Sequence, residues 1–290
     1  MTIRPRRSVL YMPGSNPRAL EKGKSLAADG LILDLEDAVS PDAKVDARDN
    51  IKTALQDKAA YGRRELIVRT NGLATEWGRD DLAAMATAGA DAILLPKVEN
   101  GETVREAASI LEASGAPAGL AIWCMMETPL AMLHAEAIAA AHQKLAALVM
   151  GTSDLAKELN CAHTALRLPM ITSLGLCLLA ARAHKLAILD GVYLDLGDDE
   201  GFRASCQQGR ELGFDGKTLI HPKQLDAANS AFAPSAEEVA QAKKIIEAHK
   251  VAAAEGKGVV VVDGKLIENL HVAMAERLVV MAEAIQEKDG

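Results

Sequence analysis

Short apolar runs alternate along the chain with longer segments rich in Ala, Glu and Lys. The runs are almost continuous in apolar character, which is typical of parallel strands buried on both faces. Eight such runs predict strands, at residues 9–12, 31–35, 66–68, 92–95, 120–125, 145–150, 188–194 and 218–220. The segments between them predict helices, among them 17–28, 80–88, 103–114 and 171–184. Strict alternation of strands and helices indicates a parallel α/β sheet.

Polar side chains capable of chemistry follow nearly every apolar run on its C-terminal side. Asp34, Arg69, Lys97, Glu127 and Asp154 are examples. In a (β/α)8 barrel the C-terminal ends of all the strands meet at one face, where active sites lie, whereas an open sheet would not gather them into one mouth. Eight repeats also favour closure of the sheet. The pattern therefore predicts an α/β fold of the (β/α)8 TIM-barrel type.

A different pattern begins beyond the eighth run. Pro234 and Ser235 precede two glutamates, which is a helix-start signal, and this helix is expected to run to about Ala254. A strand-like run, an Asp-Gly turn and a last amphipathic helix follow. Since a barrel uses roughly 250 residues, we predict a catalytic barrel domain over 1–230. A C-terminal helical extension over 231–290 is expected to pack as a lid or between subunits.

Charge and cysteine content exclude several classes of function. The 40 acidic and 32 basic residues give a net charge of −8, which argues against a nucleic-acid partner because nucleic-acid binding depends on basic surface. No apolar run approaches the roughly 20 residues of a membrane helix, and the N-terminus lacks the apolar stretch of a signal peptide. We therefore expect a cytoplasmic protein with no membrane partner. The dispersed cysteines lack zinc-ligand spacing and predict buried, reduced thiols: Cys124, Cys161, Cys177 and Cys206.

Glu127 and Asp154 form the most informative pair of candidate site residues. Each follows a strongly apolar run, AIWCMME for Glu127 and LAALVMGTSD for Asp154. Two carboxylates at adjacent strand ends can share a Mg²⁺ ion, which prefers oxygen ligands and usually keeps several waters. The alternative is that these carboxylates cap the following helices or pair with arginine.

Three acids, Asp34, Glu36 and Asp37, lie close together in the segment LILDLEDAV. With the strand period of two, Asp34 and Glu36 point the same way, and acids this close require a cation or raised pKa values. They are expected either to hold metal-bound waters or Arg69, or to decorate a helix N-terminus. Arg69 ends a buried strand and can pair with a substrate carboxylate, with these acids, or with both.

A dense group of basic residues lies near the N-terminus. Arg18, Lys22 and Lys24 follow the Pro-Gly turn after the first strand, and further arginines precede it at positions 4, 6 and 7. In an acidic protein such a group can bind phosphates, although a solvated basic face is the alternative.

Two further lysine-containing segments carry weaker signals. Lys97 lies two residues before Glu99, which predicts a simple ion pair between them rather than a Schiff-base lysine. The segment GFDGKT around Lys217 contains Gly and Lys but lacks the G-x-x-x-x-G-K spacing of a phosphate-binding P-loop.

Several motifs, in one order along the chain, resemble the citrate lyase beta-subunit family within the wider HpcH/HpaI aldolase group. The matching segments lie between residues 7 and 224: RSVLYMPGSNPR, LDLEDAVSPDAKVDAR, VRTNG, LLPKVE, METP, MGTSDLA and GFDGKTLIHPKQ. The tail GKLIENLHVAMAERL is similar to the family's C-terminal segment. The family includes citryl-, malyl- and citramalyl-CoA lyases and a malyl-CoA thioesterase branch.

The resemblance implies an eight-stranded barrel, usually trimeric, that binds Mg²⁺ through Glu127 and Asp154. It also implies two groups of binding residues. Positions that match the family's coenzyme A contacts are Tyr11, Arg18 and Lys22. Positions that match substrate contacts are Arg69, Glu127, Ile220 and His221.

The C-terminal segment of the family's CoA lyases works as a lid over a neighbouring site and supplies a catalytic aspartate in the pattern G-K-M-I-D. In this sequence the matching carboxylate is Glu268, one methylene longer, and Leu266 replaces the methionine. The resemblance therefore implies that Glu268 shuttles a proton. The expected catalytic residues are Arg69, Glu36, Asp37 and Glu268.

These expectations combine into a Mg²⁺-dependent carbon–carbon lyase that cleaves a short 3-hydroxy dicarboxylic acyl-CoA, such as malyl- or citramalyl-CoA. Its products would be an acyl-CoA and an α-keto acid, and these small molecules would be its partners, with a homotrimer as the assembly. One alternative is a malyl-CoA-type thioesterase. Others are a citrate lyase beta subunit acting on an acyl-carrier-protein thioester, and a barrel retained only for binding or assembly.

Overall fold

The structure is a computed structural model that describes residues 4–289. It divides into two compact units. The larger one spans Arg6–Phe232, and the smaller one comprises residues 233–289 together with residues 4–5. Among the described residues, no helix combines the length and apolar character needed to cross a membrane.

The larger unit is built on a closed barrel of eight parallel strands, so the predicted fold is confirmed. Each strand pairs with the next along the chain, and β8 pairs with β1 to close the ring. The strands are β1 (Ser8–Pro13), β2 (Gly30–Asp34), β3 (Glu65–Arg69), β4 (Ala92–Leu95), β5 (Ala121–Met126), β6 (Leu145–Met150), β7 (Ala187–Asp190) and β8 (Gly216–Leu219).

Two apolar layers explain why the strands are apolar almost throughout. Alternate strand residues, such as Val9, Ile67 and Trp123, form a cluster made only of strand residues, which is the barrel interior. Their neighbours, such as Leu10 and Leu66, belong to a second cluster shared with the surrounding helices. Both faces of each strand are therefore buried, as the continuous apolar runs predict.

Helices follow the strands around the barrel, and their ends differ from the predicted ones by several residues. They are α1 (Pro17–Gly23), α2 (Lys44–Gln56), α3 (Gly78–Met85), α4 (Gly101–Ala113), α5 (Pro129–Leu133), α6 (Ala135–Ala139), α7 (Thr152–Glu158), α8 (Ile171–Ala183), α9 (Asp199–Leu212) and α10 (Leu225–Phe232). The prediction that the first helix continues to residue 28 is wrong. The N–H groups of Ser25 and Leu26 donate to carbonyls three residues back, and this tighter turn leads the chain into β2.

The seventh strand also ends earlier than predicted, at Asp190 rather than at residue 194. A Cβ atom on Gly191 would lie 2.4 Å from Thr152 Oγ1, so the backbone passes close to the neighbouring strand end there. The apolar residues that follow, including Val192 and Leu194, line a cavity instead of extending the sheet.

The smaller unit contains two long helices joined by a hairpin. Helix α11 (Ala236–Ala254) begins with a capping box in which Ser235 and Glu238 each accept a hydrogen bond from the other's backbone N–H. Strands β9 (Val260–Val262) and β10 (Lys265–Ile267) are antiparallel. Asp263 and Gly264 between them have φ angles of 51° and 76°, which suits a two-residue hairpin turn. Helix α12 (Asn269–Asp289) completes the unit.

Candidate active site

The C-terminal ends of the barrel strands surround a cavity of about 360 Å³. Five charged side chains line it: Asp34, Asp37, Arg69, Glu127 and Asp154. The cavity lining also includes apolar side chains, those of Met125, Met150, Val192, Leu194 and Ile220. Charged groups that converge beside an apolar wall are typical of a site for a small polar ligand.

Glu127 and Asp154 lie at neighbouring strand ends. Glu127 directly follows β5 and is 1% exposed, whereas Asp154 lies in the first turn of α7, after β6. The intervening Gly151 leaves room for Glu127, because a Cβ atom at that position would lie 2.6 Å from Glu127 Oε2. The adjacent pairing of β5 and β6 therefore brings the two carboxylates to one place.

Lys97 lies just after β4 and contacts both of these carboxylates. Its backbone N–H donates to Glu127 Oε1 over 2.6 Å. Its ammonium group donates to Asp154 Oδ2 and lies 3.7 Å from Glu127 Oε1. The predicted ion pair between Lys97 and Glu99 is wrong, because the chain turns at Lys97 with a φ of 52° and directs the ammonium across the cavity mouth.

Burial and the lysine act in opposite directions on the two carboxyl groups. Burial raises the pKa of Glu127 to about 7, although the Lys97 charge and backbone N–H oppose this rise. Burial also tends to raise the pKa of Asp154, but the hydrogen bond and charge of Lys97 outweigh it and lower the value below the ordinary one. Burial opposes the charge on Lys97, but Asp154 and Glu127 raise its pKa.

The carboxylate pair fits the hard, oxygen-preferring cation that the sequence predicts. Its donors are all oxygens, and a cationic group, the Lys97 ammonium, already lies beside both of them. Across residues 4–289, no three His, Cys, Asp or Glu side chains come together as a metal cluster. A donor set of two carboxylates suits Mg²⁺, which usually keeps several water ligands.

Arg69 is held by the acids of the β2 end. Its guanidinium makes a bidentate pair with Asp34, with both N–O distances at 2.7 Å, as the register that places these residues opposite one another allows. Its Nη1 lies 2.8 Å from Glu36 Oε2 and 3.4 Å from Asp37 Oδ2. The guanidinium also lies over the Tyr11 ring, 4.8 Å from the ring centroid. Burial opposes the arginine charge, but these partners raise its pKa further.

Glu36 is the least satisfied acid of this group. Its Oε2 atom is buried and has no partner in hydrogen-bonding geometry within residues 4–289, although the Arg69 charge is close. Burial raises the pKa of Glu36 to about 8, against the opposing charge of Arg69. Asp37, by contrast, has a side chain that is 67% exposed and lines the cavity.

The predicted basic group divides into two parts in the structure. Arg18 and Lys22 are exposed, one turn apart on α1, just beyond the end of β1. Arg6 pairs with Glu65 at the start of β3, and Arg7 pairs with the buried Asp29 before β2. These arginines therefore lie at the N-terminal ends of the strands, away from the cavity. Lys24 pairs with two acids, Glu21 and Asp57.

The remaining predicted site residues lie at two places. Ile220 lines the cavity and is 37% exposed, whereas the His221 ring caps the following turn by accepting the Lys223 N–H. Glu268 belongs to the smaller unit, where it is exposed between β10 and α12 and its N–H donates to His271 Nδ1.

Sequence reasoning missed the side-chain role of Lys97 and the apolar cavity wall. The signal for Lys97 was its position just after β4, between the strand end that carries Arg69 and the strand end that carries Glu127. The wall residues Val192 and Leu194 were assigned to a strand because apolar runs that line a cavity and runs that fill a sheet look alike.

The chain belongs to the HpcH/HpaI aldolase/citrate lyase family, whose model matches residues 7–222. The members of this family are enzymes, which agrees with the prediction from the sequence that this chain is an enzyme. A solved structure of the protein CitE from Mycobacterium tuberculosis, in complex with magnesium, acetoacetate and coenzyme A, is 27% identical with a TM-score of 0.79. That alignment covers 98% of this chain and 100% of the CitE chain.

Two curated relatives bear on the reaction. A (3S)-malyl-CoA thioesterase of Cereibacter sphaeroides is 53% identical over 281 residues, covering 97% of this chain and 96% of the relative. An L-malyl-CoA/beta-methylmalyl-CoA lyase of the same species is 35% identical, covering 97% of this chain and 96% of the relative. The prediction of a carbon–carbon lyase as the main function is therefore wrong, because much greater similarity exists to thioesterases.

Proposed function

We propose that the protein is a thioesterase that hydrolyses the CoA thioester of a short 3-hydroxy dicarboxylic acid of the (3S)-malyl type. The observation that carries the proposal is the 53% identity to a (3S)-malyl-CoA thioesterase over nearly the whole of both chains. The cavity supports it, because Arg69, which can bind a substrate carboxylate, lies there together with Glu127 and Asp154. In the reaction a water oxygen bonds to the thioester carbonyl carbon, the C–S bond breaks, and the products are a hydroxy dicarboxylic acid and a free thiol.

Glu127 and Asp154 are proposed to hold Mg²⁺. When bound, the ion would supply Lewis-acid polarisation of substrate oxygens and would neutralise the two carboxylates. Glu127 is held ready for this role by the Lys97 N–H and by the space above Gly151. The relative CitE was crystallised with magnesium and coenzyme A, which supports a metal and a CoA group in this chain as well.

Arg69 is proposed to bind and orient the acyl group. Its bidentate bond to Asp34 fixes the guanidinium plane, so that the Nη1 side faces Glu36, Asp37 and the cavity. A planar cation held this rigidly recognises a carboxylate or a developing oxyanion without reorganising. Asp37 is the acid of this group most open to the cavity, and it is proposed to accept a proton from the attacking water.

Two further groups complete the proposal. Arg18 and Lys22, exposed on α1, are proposed to bind phosphate groups of coenzyme A, and Tyr11 of the cavity lining is proposed to contact the same ligand. Glu268 retains, as a proposal from the family resemblance, a role in proton transfer, and the assembly is proposed to be a homotrimer.

The reaction is tested by incubating the full-length protein with (3S)-malyl-CoA and Mg²⁺ and assaying two products separately. Free thiol is measured with a disulfide reagent, and glyoxylate is measured as its phenylhydrazone. If the protein is a thioesterase, free thiol and malate should form in equal amounts and no glyoxylate should form. Glyoxylate formed without free thiol would contradict the proposal.

Variants make this test specific to the cavity. Arg69→Ala should lower kcat/KM for thiol release by about 100-fold or more, since the proposed charge-assisted contact of Nη1 with the acyl group is lost. Arg79→Ala is the matched control, because Arg79 is an exposed arginine on α3 whose partner, Glu106, is also exposed. An equal loss in both variants would remove Arg69 from its proposed role.

A further inference from the structure

The Lys97 ammonium occupies a distinctive position in the cavity mouth. It donates to Asp154 Oδ2 and lies 3.7 Å from Glu127 Oε1, so one positive charge forms ion pairs with both carboxylates. The two carboxylates are the groups proposed above to hold Mg²⁺. We propose that Lys97 acts as an internal cation that occupies this site in the metal-free protein and that a divalent cation must displace it. This inference rests on the proposed metal site.

Electrostatics require the displacement. The ammonium stands within ion-pairing distance of both proposed ligands, and a divalent cation bound to the same two carboxylates would lie only a few ångströms from it. Like charges at such a separation repel strongly in a partly buried site. The lysine and the metal ion therefore compete for Glu127 and Asp154, and the ammonium has to move away for the metal ion to bind.

The exposure of the side chain allows this movement. The Lys97 side chain is 43% exposed, and its four-carbon stem can carry the ammonium towards solvent. A second lysine of the barrel shows the contrast. Lys217 on β8 is 1% exposed and pairs with the fully buried Asp190, so it cannot leave without stranding a charge. Lys97 is thus a displaceable cation, whereas Lys217 is a permanent one.

The backbone of Lys97 has a separate task that displacement leaves intact. Its N–H bond to Glu127 Oε1 does not depend on the side chain, and the left-handed φ of 52° is a property of the turn. Replacing the side chain by another unbranched one therefore keeps Glu127 in place. The ammonium can be removed from the site without removing the support of the carboxylate.

Metal binding in the absence of substrate tests the proposal. Mn²⁺ serves as the probe, and its free concentration is followed by electron paramagnetic resonance in titrations of the full-length protein. Lys97→Met removes the competing charge at similar length and should bind Mn²⁺ about 10-fold more tightly than the wild type, which corresponds to about 1.4 kcal/mol. Lys97→Arg keeps a cation and should remain within about three-fold of the wild type.

Lys157→Met is the matched control. Lys157 lies on α7 and acts on Asp154 through its charge, but it does not join Asp154 to Glu127. It should tighten Mn²⁺ binding by less than about three-fold. Equal tightening in Lys97→Met and Lys157→Met would mean that only the general charge matters, and it would overturn the proposal. Unchanged or weaker binding in Lys97→Met would also overturn it.

Thermal unfolding provides a second, independent measurement. Without metal, Lys97→Met leaves two carboxylates without their cation and should unfold at a lower temperature than the wild type. Saturating Mg²⁺ should raise its unfolding temperature by more than that of the wild type, because binding is tighter. An equal rise in the two proteins would contradict displacement.

Removal of a ligand distinguishes this inference from the proposed function. Glu127→Gln introduced into Lys97→Met should abolish the gain in Mn²⁺ affinity, and retention of the gain would place the competition elsewhere and overturn the proposal. Absence of thiol release in the hydrolysis assay would refute the thioesterase without changing any of these binding results.

Discussion

At the scale of single residues, each ionisable group around the cavity is tuned by the balance between burial and a nearby opposite charge. For Glu127 and Glu36 the effect of burial exceeds that of the nearby positive charges, so their pKa values rise to about 7 and about 8. Asp154 and Asp190 have cations at hydrogen-bonding distance that outweigh burial, so the pKa values of both are lowered. Sequence reasoning anticipated raised pKa values among the acids of the β2 end, but not which acid would carry one. Which of these acids pairs with Arg69 depends on the register between β2 and β3, and the sequence alone does not give that register.

The raised pKa of Glu36 makes a prediction about stability. Between about pH 4.5 and pH 8 the folded protein holds a proton on Glu36 that the unfolded chain has released. The free energy of unfolding should therefore fall as the pH rises through this window. Glu36→Gln removes this contribution, so its stability should fall less steeply than that of the wild type. Each unit of pKa shift corresponds to about 1.4 kcal/mol.

The measurement is urea-induced unfolding at pH 5, 6.5 and 8 in the presence of a chelator. Glu106→Gln is the control, because its exposed carboxylate pairs with the exposed Arg79. Parallel pH dependences for the wild type and Glu36→Gln would show that Glu36 does not retain its proton in the folded state.

At the scale of elements, the sequence predicts strands better than it predicts where they end. The number of strands follows from continuous apolar runs, because both faces of each strand are buried. The end of β7 was misplaced because Val192 and Leu194 are apolar for a different reason, the lining of the cavity. The contact between Lys97 and the β5 and β6 ends was equally invisible, since it joins positions 30 and 57 residues away along the chain.

The close approach of β5 and β6 makes a steric prediction. In Gly151→Ala the new Cβ would meet Glu127 side-chain atoms at 2.4 and 2.6 Å, although the φ of −98° suits any residue. The displaced Glu127 should bind Mn²⁺ at least 10-fold more weakly, and overpacking should cost roughly 1–3 kcal/mol. Calorimetric titration and urea unfolding measure the two effects.

Gly175→Ala on α8 is the matched control for this substitution. A Cβ atom there would meet nothing within 4 Å, and alanine favours a helix interior, so stability should rise by about 0.5–1 kcal/mol. If the two alanine variants bind Mn²⁺ equally well, Glu127 adjusts to the new Cβ without loss of metal affinity, which would contradict the prediction.

Helix α1 makes a prediction about coenzyme A. The double variant Arg18→Ala with Lys22→Ala should raise KM for malyl-CoA by about 10-fold, with kcat little changed, because only binding of the remote phosphates is lost. Lys24→Ala is the control, since Lys24 is engaged by Glu21 and Asp57. A fall in kcat at unchanged KM would indicate that this face of α1 acts on chemistry rather than on CoA binding.

At the scale of the whole molecule, an acidic chain is proposed to bind an anionic ligand. The net charge of −8 excluded nucleic acid as a partner at the level of sequence, but it concealed Arg69, Lys97 and the exposed pair on α1. The sequence motifs did not reveal the reaction type, because the chain is similar over nearly its whole length both to a lyase and to a thioesterase. The motifs contain the residues proposed to bind metal and CoA, and they do not distinguish cleavage of a carbon–carbon bond from hydrolysis of the thioester.

The smaller unit supports a prediction about assembly. Within this unit several large apolar side chains are exposed, among them Val261 (65%), Leu270 (56%) and Met274 (68%). Exposed apolar side chains become buried when subunits associate, and the family resemblance implies a trimer. We expect light scattering coupled to size-exclusion chromatography to give three times the mass of the chain. Met274→Asp should lower that mass, whereas a monomeric wild type at micromolar concentration would contradict the trimer.

The charge network around Asp190 has a consequence for how this enzyme fold diversifies. Lys217 and Arg167 clamp Asp190 at the end of β7, so the ring is secured before the chain enters the segment that carries Val192 and Leu194. Changes of sequence or length in that segment leave barrel closure untouched. We therefore expect substitutions in this one loop to change the lining of the cavity while Asp190 and its two cations keep the end of β7 in place.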